Sequence, residues 1–380
     1  MSDQPKLYIA GIGMITPVGA NTAMTAAAVN AGVSAYAETS NYDQQNRPIT
    51  MASVPNIIFD EIEAEIDEGK RFNGRHDRVT KMAIIAIREA CANQSTKQSI
   101  PMVLAMPEGQ TDVEGLSPLI QNLAHNCKPW VSSEQSRSIY TGRAAGMEAI
   151  DFAFRYLYDF PSDFILIGGS DSYQDYSRLS PLSAESRLLV PGNRDGFAPG
   201  EAAGFLLLTR KPELALARHG HIIALNPPGI AEEPGHLGSD EPYRGDGLDQ
   251  AFKKALSNYP QPNIHSIFSS MNGENHWAKE YGVAYARNRD AFQDPVKIEH
   301  PADCYGDLGS ATSPVLIALA AEQLFKNPKA ITHLVYSSSD RAKRGAVVVE
   351  KMVAAQGVAP TKKSSVHEML IGEVLCQPPI

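Results

Sequence analysis

Long apolar runs are missing from this 380-residue chain: none approaches the ~18 residues that a membrane-spanning helix needs, so no span is expected. Cysteine is scarce. The four present, Cys91, Cys127, Cys304 and Cys376, stand far apart with no C-x-x-C pair. That spacing carries no zinc or redox signature, and scattered thiols fit a reducing compartment. Basic residues are outnumbered, with 34 Lys and Arg against 43 Asp and Glu and a net charge of −9, the opposite of a general nucleic-acid binder. The opening MSDQPKLYIAGIGM lacks the charged-then-apolar pattern of a signal peptide, so a cytoplasmic location is expected. Neither a metal nor a cofactor is indicated.

What is present reads as an ordinary globular composition, 43% hydrophobic and 20% charged. The length suits one large domain or two fused ones. Apolar runs such as 7–10, 101–105, 164–167, 205–208, 266–270 and 333–336 predict buried strands. Between them, 3.6-residue periodicity predicts helices over 75–91, 116–127, 147–158, 247–257, 275–291 and 314–325. Residues 170–192 read as loop. The Gly-, Pro- and acid-rich stretch 226–246 reads as a surface loop between two halves. The expected organisation is a first half over 1–225, a second over 226–353 and a tail over 354–380. Alternating strands and helices in both halves mean α/β architecture, and the matching patterns hint at duplication.

The stretch 136–172 organises the rest. A polar approach at 138–142 leads to a turn of small residues around Arg143, Ala144, Ala145 and Gly146. A helix follows with Met147, Ile150, Phe154, Leu157 and Tyr158 at the spacing of one buried face, and then a strand closed by Gly168 and Gly169. A turn that delivers a residue to the N-terminus of a buried helix is where many α/β enzymes hold a nucleophile, because the free N–H groups there favour an anion.

Four passages, in order, resemble the β-ketoacyl-acyl-carrier-protein synthases of the thiolase superfamily. They are the opening strand and loop 10–19, the glycine pair Gly168–Gly169, the block RDGFAPGEAAG over 194–204, and the turn GDLGSA over 306–311. The resemblance implies a five-layered α-β-α-β-α fold with two similar halves. It also implies a two-fold homodimer formed through a strand near 130–140, with Trp130 and Val131 at the interface.

The same resemblance places a nucleophilic cysteine twenty-five residues before the first glycine of the pair, and counting back from Gly168 reaches Arg143. Arginine keeps its proton and offers no lone pair, so it cannot attack a thioester. The first family histidine falls at Asn272, the second at Gly306 and the lysine at Pro301. The G-F-G-G-T-N loop falls at 339–344, as SDRAKR. No catalytic residue is therefore assigned.

A buried Arg143 needs a carboxylate, for which Glu274, Asp307 and Asp340 are candidates. Three readings stand. The first is a non-catalytic synthase-like protein serving as binding partner, scaffold or adaptor. Its partner would be an active synthase subunit (as chain-length factors have), an acyl carrier protein or a secreted effector. The second is a 3-oxoacyl-ACP synthase-type acyltransferase of fatty-acid or polyketide synthesis with altered chemistry. The third is an anionic-ligand module using Arg143, Asn272, Asp307, Arg341 and Lys343. His276 and His300 are the candidate substitute bases.

Overall fold

A computed structural model describes residues 4–63, 66, 74–94, 99–109, 116, 118–259 and 263–354. The strands are β1 (Leu7–Ile15), β2 (Tyr36–Tyr42), β3 (Pro48–Ala52), β4 (Met102–Ala105), β5 (Arg137–Ile139), β6 (Ile165–Ser172), β7 (Glu201–Thr209), β8 (His221–Leu225), β9 (Gly229–Glu232), β10 (Ile264–Phe268), β11 (Phe292–Glu299), β12 (Thr332–Ser338) and β13 (Lys343–Val353). The longer helices are α1 (Thr22–Asn30), α2 (Arg75–Cys91), α3 (Leu119–Asn126), α4 (Ala145–Asp159), α5 (Tyr176–Ala184), α6 (Asp246–Ser257), α7 (Asn275–Arg287) and α8 (Thr312–Lys326).

Ten strands fall into two five-stranded arrays, β5-β4-β6-β7-β1 and β11-β10-β12-β13-β8, which meet where β1 pairs β8 at Leu7–Leu225 and Tyr8–Ala224. Each array has the same pattern. The two outer pairings, β5–β4–β6 and β11–β10–β12, are parallel. The two inner ones, through β7 to β1 and through β13 to β8, are antiparallel. The duplication hinted at by the alternation is thus a duplication of topology. β8 takes in the second array the place that β1 takes in the first. Of the expected tail, only Ala354 lies among the described residues.

The layers follow from which faces are apolar. α4 and α8 lie between the two arrays and share one core with β1, β6, β7, β12 and β13. α8 has almost no polar face, because apolar neighbours surround it. α2 and α3 cover the outside of the first array. α6 and α7 cover the second. This is the α-β-α-β-α sequence of layers. α4 and α8 cross closely at Gly146, where an added Cβ would lie 2.7 Å from Ser313 Cβ and 2.8 Å from Pro314 Cδ. A glycine is needed there.

Three expectations are corrected. Tyr158, expected on the buried face of α4, is 48% exposed. The stretch 226–246 is not simply a surface loop, since it contains β9, which pairs β13 and buries Ala231. Residues 170–192 are not simply loop, since they contain the end of β6 and all of α5. α5 is hidden in the sequence by an internal Pro181, but it starts on a good cap, with Asp175 accepting from the Ser177 N–H at 2.7 Å.

Candidate functional site at the head of the central helix

A 3₁₀ turn, Gly142–Ala144, feeds α4, and Gly142 takes φ of +66°, which suits glycine. The turn is held from the second half. The Arg143 carbonyl accepts from Ser313 Oγ and, at 2.8 Å, from Ser337 Oγ. The Ala144 N–H donates to Ser339 Oγ at 2.9 Å. A donor at the helix N-terminus, where an anion would bind, is therefore already occupied by a serine hydroxyl.

The Arg143 side chain is 5% exposed and fully engaged. Nη1 donates to Asp307 Oδ2 at 2.5 Å, Nη2 to Asp340 Oδ1 at 2.5 Å and Nε to the Ser338 carbonyl at 2.8 Å. Its guanidinium sits 4.5 Å from the centre of the Trp277 ring. Asn272 donates to Asp307 at 2.9 Å and to Glu274 at 3.0 Å. Arg187 grips Glu274 at 2.7 Å and Asp340 at 2.8 Å. The contacts close a ring: Arg143, Asp307, Asn272, Glu274, Arg187, Asp340 and back to Arg143.

Two guanidiniums and three carboxylates leave the ring one negative charge if all are ionised. Burial alone would raise the Asp340 carboxyl, but the Arg143 and Arg187 guanidiniums overcome it and hold that group well below the usual carboxylate range. Burial works against the Arg143 charge, and Asp307 and Asp340 more than restore it. At the rim, burial and then repulsion from Asp340 push the Glu108 carboxyl above its ordinary value. Behind the ring, Asp171 is paired with Arg75 at 2.7 Å and Arg178 at 2.8 Å.

Little space is left. About 50 Å³ remains among Glu108, Arg143, Tyr173, Ser310 and Asp340. About 10 Å³ more lies beside Asn272, Gly306 and Asp307. That accommodates a few waters at most, whereas small-molecule pockets occupy roughly 300–1,000 Å³. Ser310 Oγ, buried and without a hydrogen-bond partner among the described residues, borders the larger void.

Of the five residues read as an anion site, Arg143, Asn272 and Asp307 come together in the ring. The other two do not join them. Arg341 is exposed, with its backbone N–H 3.2 Å from Glu108. Lys343 turns away to Glu232 at 2.9 Å and Glu148 at 3.6 Å. Arg341 lies on the turn between β12 and β13, and Lys343 opens β13 with its side chain directed to Glu232 rather than to Arg143. Neither candidate substitute base joins the ring. His300 is exposed. His276 packs against Tyr243 at a tilt and edge-on against Trp277, and burial followed by the nearby Arg344 lowers its basicity. Cys127 is buried in the core outside the first array, where burial pushes its thiol up to about 12. Reading the sequence missed Arg187. The signal was arithmetic: three carboxylates around one arginine call for a second cation.

No family model matches the chain, and no curated protein matches it. The architecture defines the class: the chain has the thiolase-like fold of the ketosynthases. One similar structure is described as the AntDE:AntF type II PKS acyl-carrier protein in complex with its ketosynthase bound to the hexaketide. It is 15% identical with a TM-score of 0.71, over 92% of this chain and 100% of that one. The ishigamide ketosynthase/chain length factor is 17% identical with a TM-score of 0.69, over 92% of this chain and 99% of that one. The ketosynthase from module 6 of the bacillaene synthase from Bacillus subtilis 168 is 14% identical with a TM-score of 0.69, over 91% of this chain and 72% of that one. At such identities the likeness speaks for the fold. No helix among the described residues is long and apolar enough to cross a membrane.

Proposed function

We propose that this chain is a ketosynthase-fold protein without condensing activity that works by binding a protein partner, as a scaffold or adaptor. The carrying observation is the closed ring at the head of α4. The residue delivered to the helix N-terminus is a guanidinium locked between Asp307 and Asp340, with no lone pair for attack and no room beside it for an acyl chain. A protein partner is favoured because the similar structures include assemblies of a ketosynthase with an acyl-carrier protein and with a chain length factor. The test is incubation with acetyl and malonyl thioesters, followed by intact-mass measurement and assay of released carbon dioxide. Unchanged mass and no carbon dioxide are expected. A stable acyl adduct, or decarboxylation of the malonyl thioester, overturns the reading.

A further inference from the structure

The first helix is turned the wrong way round for a surface helix. No Asp, Glu, Lys or Arg occurs from Leu7 to Ala37, on a chain in which such residues make up 20%. α1 lies in that stretch, packed against β1 and α8. Its buried side holds Thr22, Thr25 and Ala26. The Thr25 hydroxyl lies 3.1 Å from Thr16 Oγ1 and 3.2 Å from the Gly19 carbonyl. Its solvent side carries Ala23, Met24 and Ala27, with Met24 53% exposed. Gly32, at φ of +68°, ends the helix, and the Val33 N–H returns to the Ala28 carbonyl at 3.0 Å, which leaves Val33 50% exposed at the helix end. Threonines inside and apolar residues outside reverse the amphipathic pattern of a surface helix. Single exposed apolar side chains are ordinary, but a continuous charge-free face marks a contact surface.

Two observations bear on what covers this face. The last described strand, β13, ends nearby. There the Ala354 N–H donates to the Gly220 carbonyl at 2.9 Å, and two residues before Gly220 the Arg218 side chain pairs with Glu322 of α8 at 2.5 Å. The exit of the chain and α1 thus flank the same helix, which at 15 residues is about 22 Å long. The second observation is the sequence that follows. Residues 355–365 include Gly357, Pro360, Lys362, Lys363, Ser364 and Ser365, the composition of a linker. MLIGEVL over 369–375 then supplies five apolar residues in seven. Fully extended, 355–365 spans up to about 36 Å, more than the length of α8.

We propose that the apolar run 369–375 seats on the outer face of α1, against Met24, Ala27 and Val33, as a cover supplied by the same chain. This goes beyond the binding reading above and does not depend on it. Removal of apolar surface from water drives the contact. A second copy of the chain is the competing occupant, and area decides against it. α1 has nine residues, so its face is about 14 Å long and about 10 Å wide, whereas a stable dimer takes roughly 800 Å² from each partner. A tethered segment needs far less area, because the linker supplies a high effective concentration.

The test is amide hydrogen exchange on the full chain, followed by mass spectrometry, with each variant read on the segment it leaves unchanged. Leu370→Glu/Val374→Glu should speed exchange of the α1 peptide at least about fivefold. Met24→Glu/Ala27→Glu, near a helix N-terminus where acids are tolerated, should speed exchange of the 366–375 peptide by a similar factor. Peptides of α4, buried between the arrays, should keep the wild-type rate in both variants. If they exchange faster in the α1 variant, that variant has lost its packing and Leu370→Glu/Val374→Glu alone decides. Three results overturn the proposal: α1 exchange unchanged by Leu370→Glu/Val374→Glu, a change confined to 215–222 at the chain exit, or protection of α1 that grows with protein concentration, as a second copy would give. The ring enters neither readout, so failure of the non-catalytic reading shows as a mass adduct and failure of this one does not.

Discussion

At the scale of single residues, the decisive fact is that a buried cation at Arg143 sits where a helix N-terminus already disfavours positive charge. Removing two opposite charges from water is costly, and only good geometry with further hydrogen bonds offsets it. Here Asp307 also accepts from Tyr173 and the Gly309 N–H, so its remaining lone pairs are met. The carboxylates carry a pH signature. Burial raises Asp171, but Arg178 and Arg75 outweigh it and hold that group below its ordinary value, as Arg143 and Arg187 do for Asp340. Depressed carboxyls stabilise the fold fully above their unfolded pKa, about 3.9, and that stability is lost as pH falls through the folded value. Unfolding free energy should therefore fall steeply with each pH decrement below about 4. A flat acid limb in denaturant titrations would contradict the pairing.

At the scale of elements, α2 joins α1 to the sheet through one side chain. Glu89 accepts from the Thr22 N–H at 3.0 Å, at the start of α1, and from Met14 N–H at 3.1 Å on β1. Burial nonetheless dominates and pushes its carboxyl up to about 7. A raised acid works in the opposite sense: its contribution is complete at low pH and is lost as pH rises through about 7. Wild type should lose stability between pH 5 and 8, and Glu89→Gln should flatten that slope in urea unfolding. An unchanged slope would show that Glu89 does not titrate there. Elements also show what sequence makes legible. The buried face of α4 was readable because Met147, Ile150, Phe154 and Leu157 repeat at helical spacing. α5 was not, because its signal is a cap and a few buried residues interrupted by Pro181.

At the scale of the whole molecule, the ring is a clasp between the two halves. Arg143 and Arg187 come from the first half, and Asn272, Glu274, Asp307 and Asp340 from the second. The two halves were visible in the sequence as repeated alternation, whereas their equivalence was not, since it lies in strand order and direction. The site was legible in part. Arg143 and the three candidate carboxylates were placed through the family resemblance, but a contact between Arg187 and Glu274, 87 residues apart, leaves no local pattern to read.

The most direct test of the account is a set of unfolding measurements on Arg143→Met, on Asp307→Asn/Asp340→Asn and on the triple variant. A guanidinium that completes a clasp leaves stranded carboxylates when removed, so Arg143→Met should cost about 3–5 kcal/mol. The triple variant should recover much of that loss, which is the coupling expected within one network. If Arg143→Met proves as stable as wild type or more so, Arg143 is a cation held for an incoming ligand, and the filled-site account is wrong.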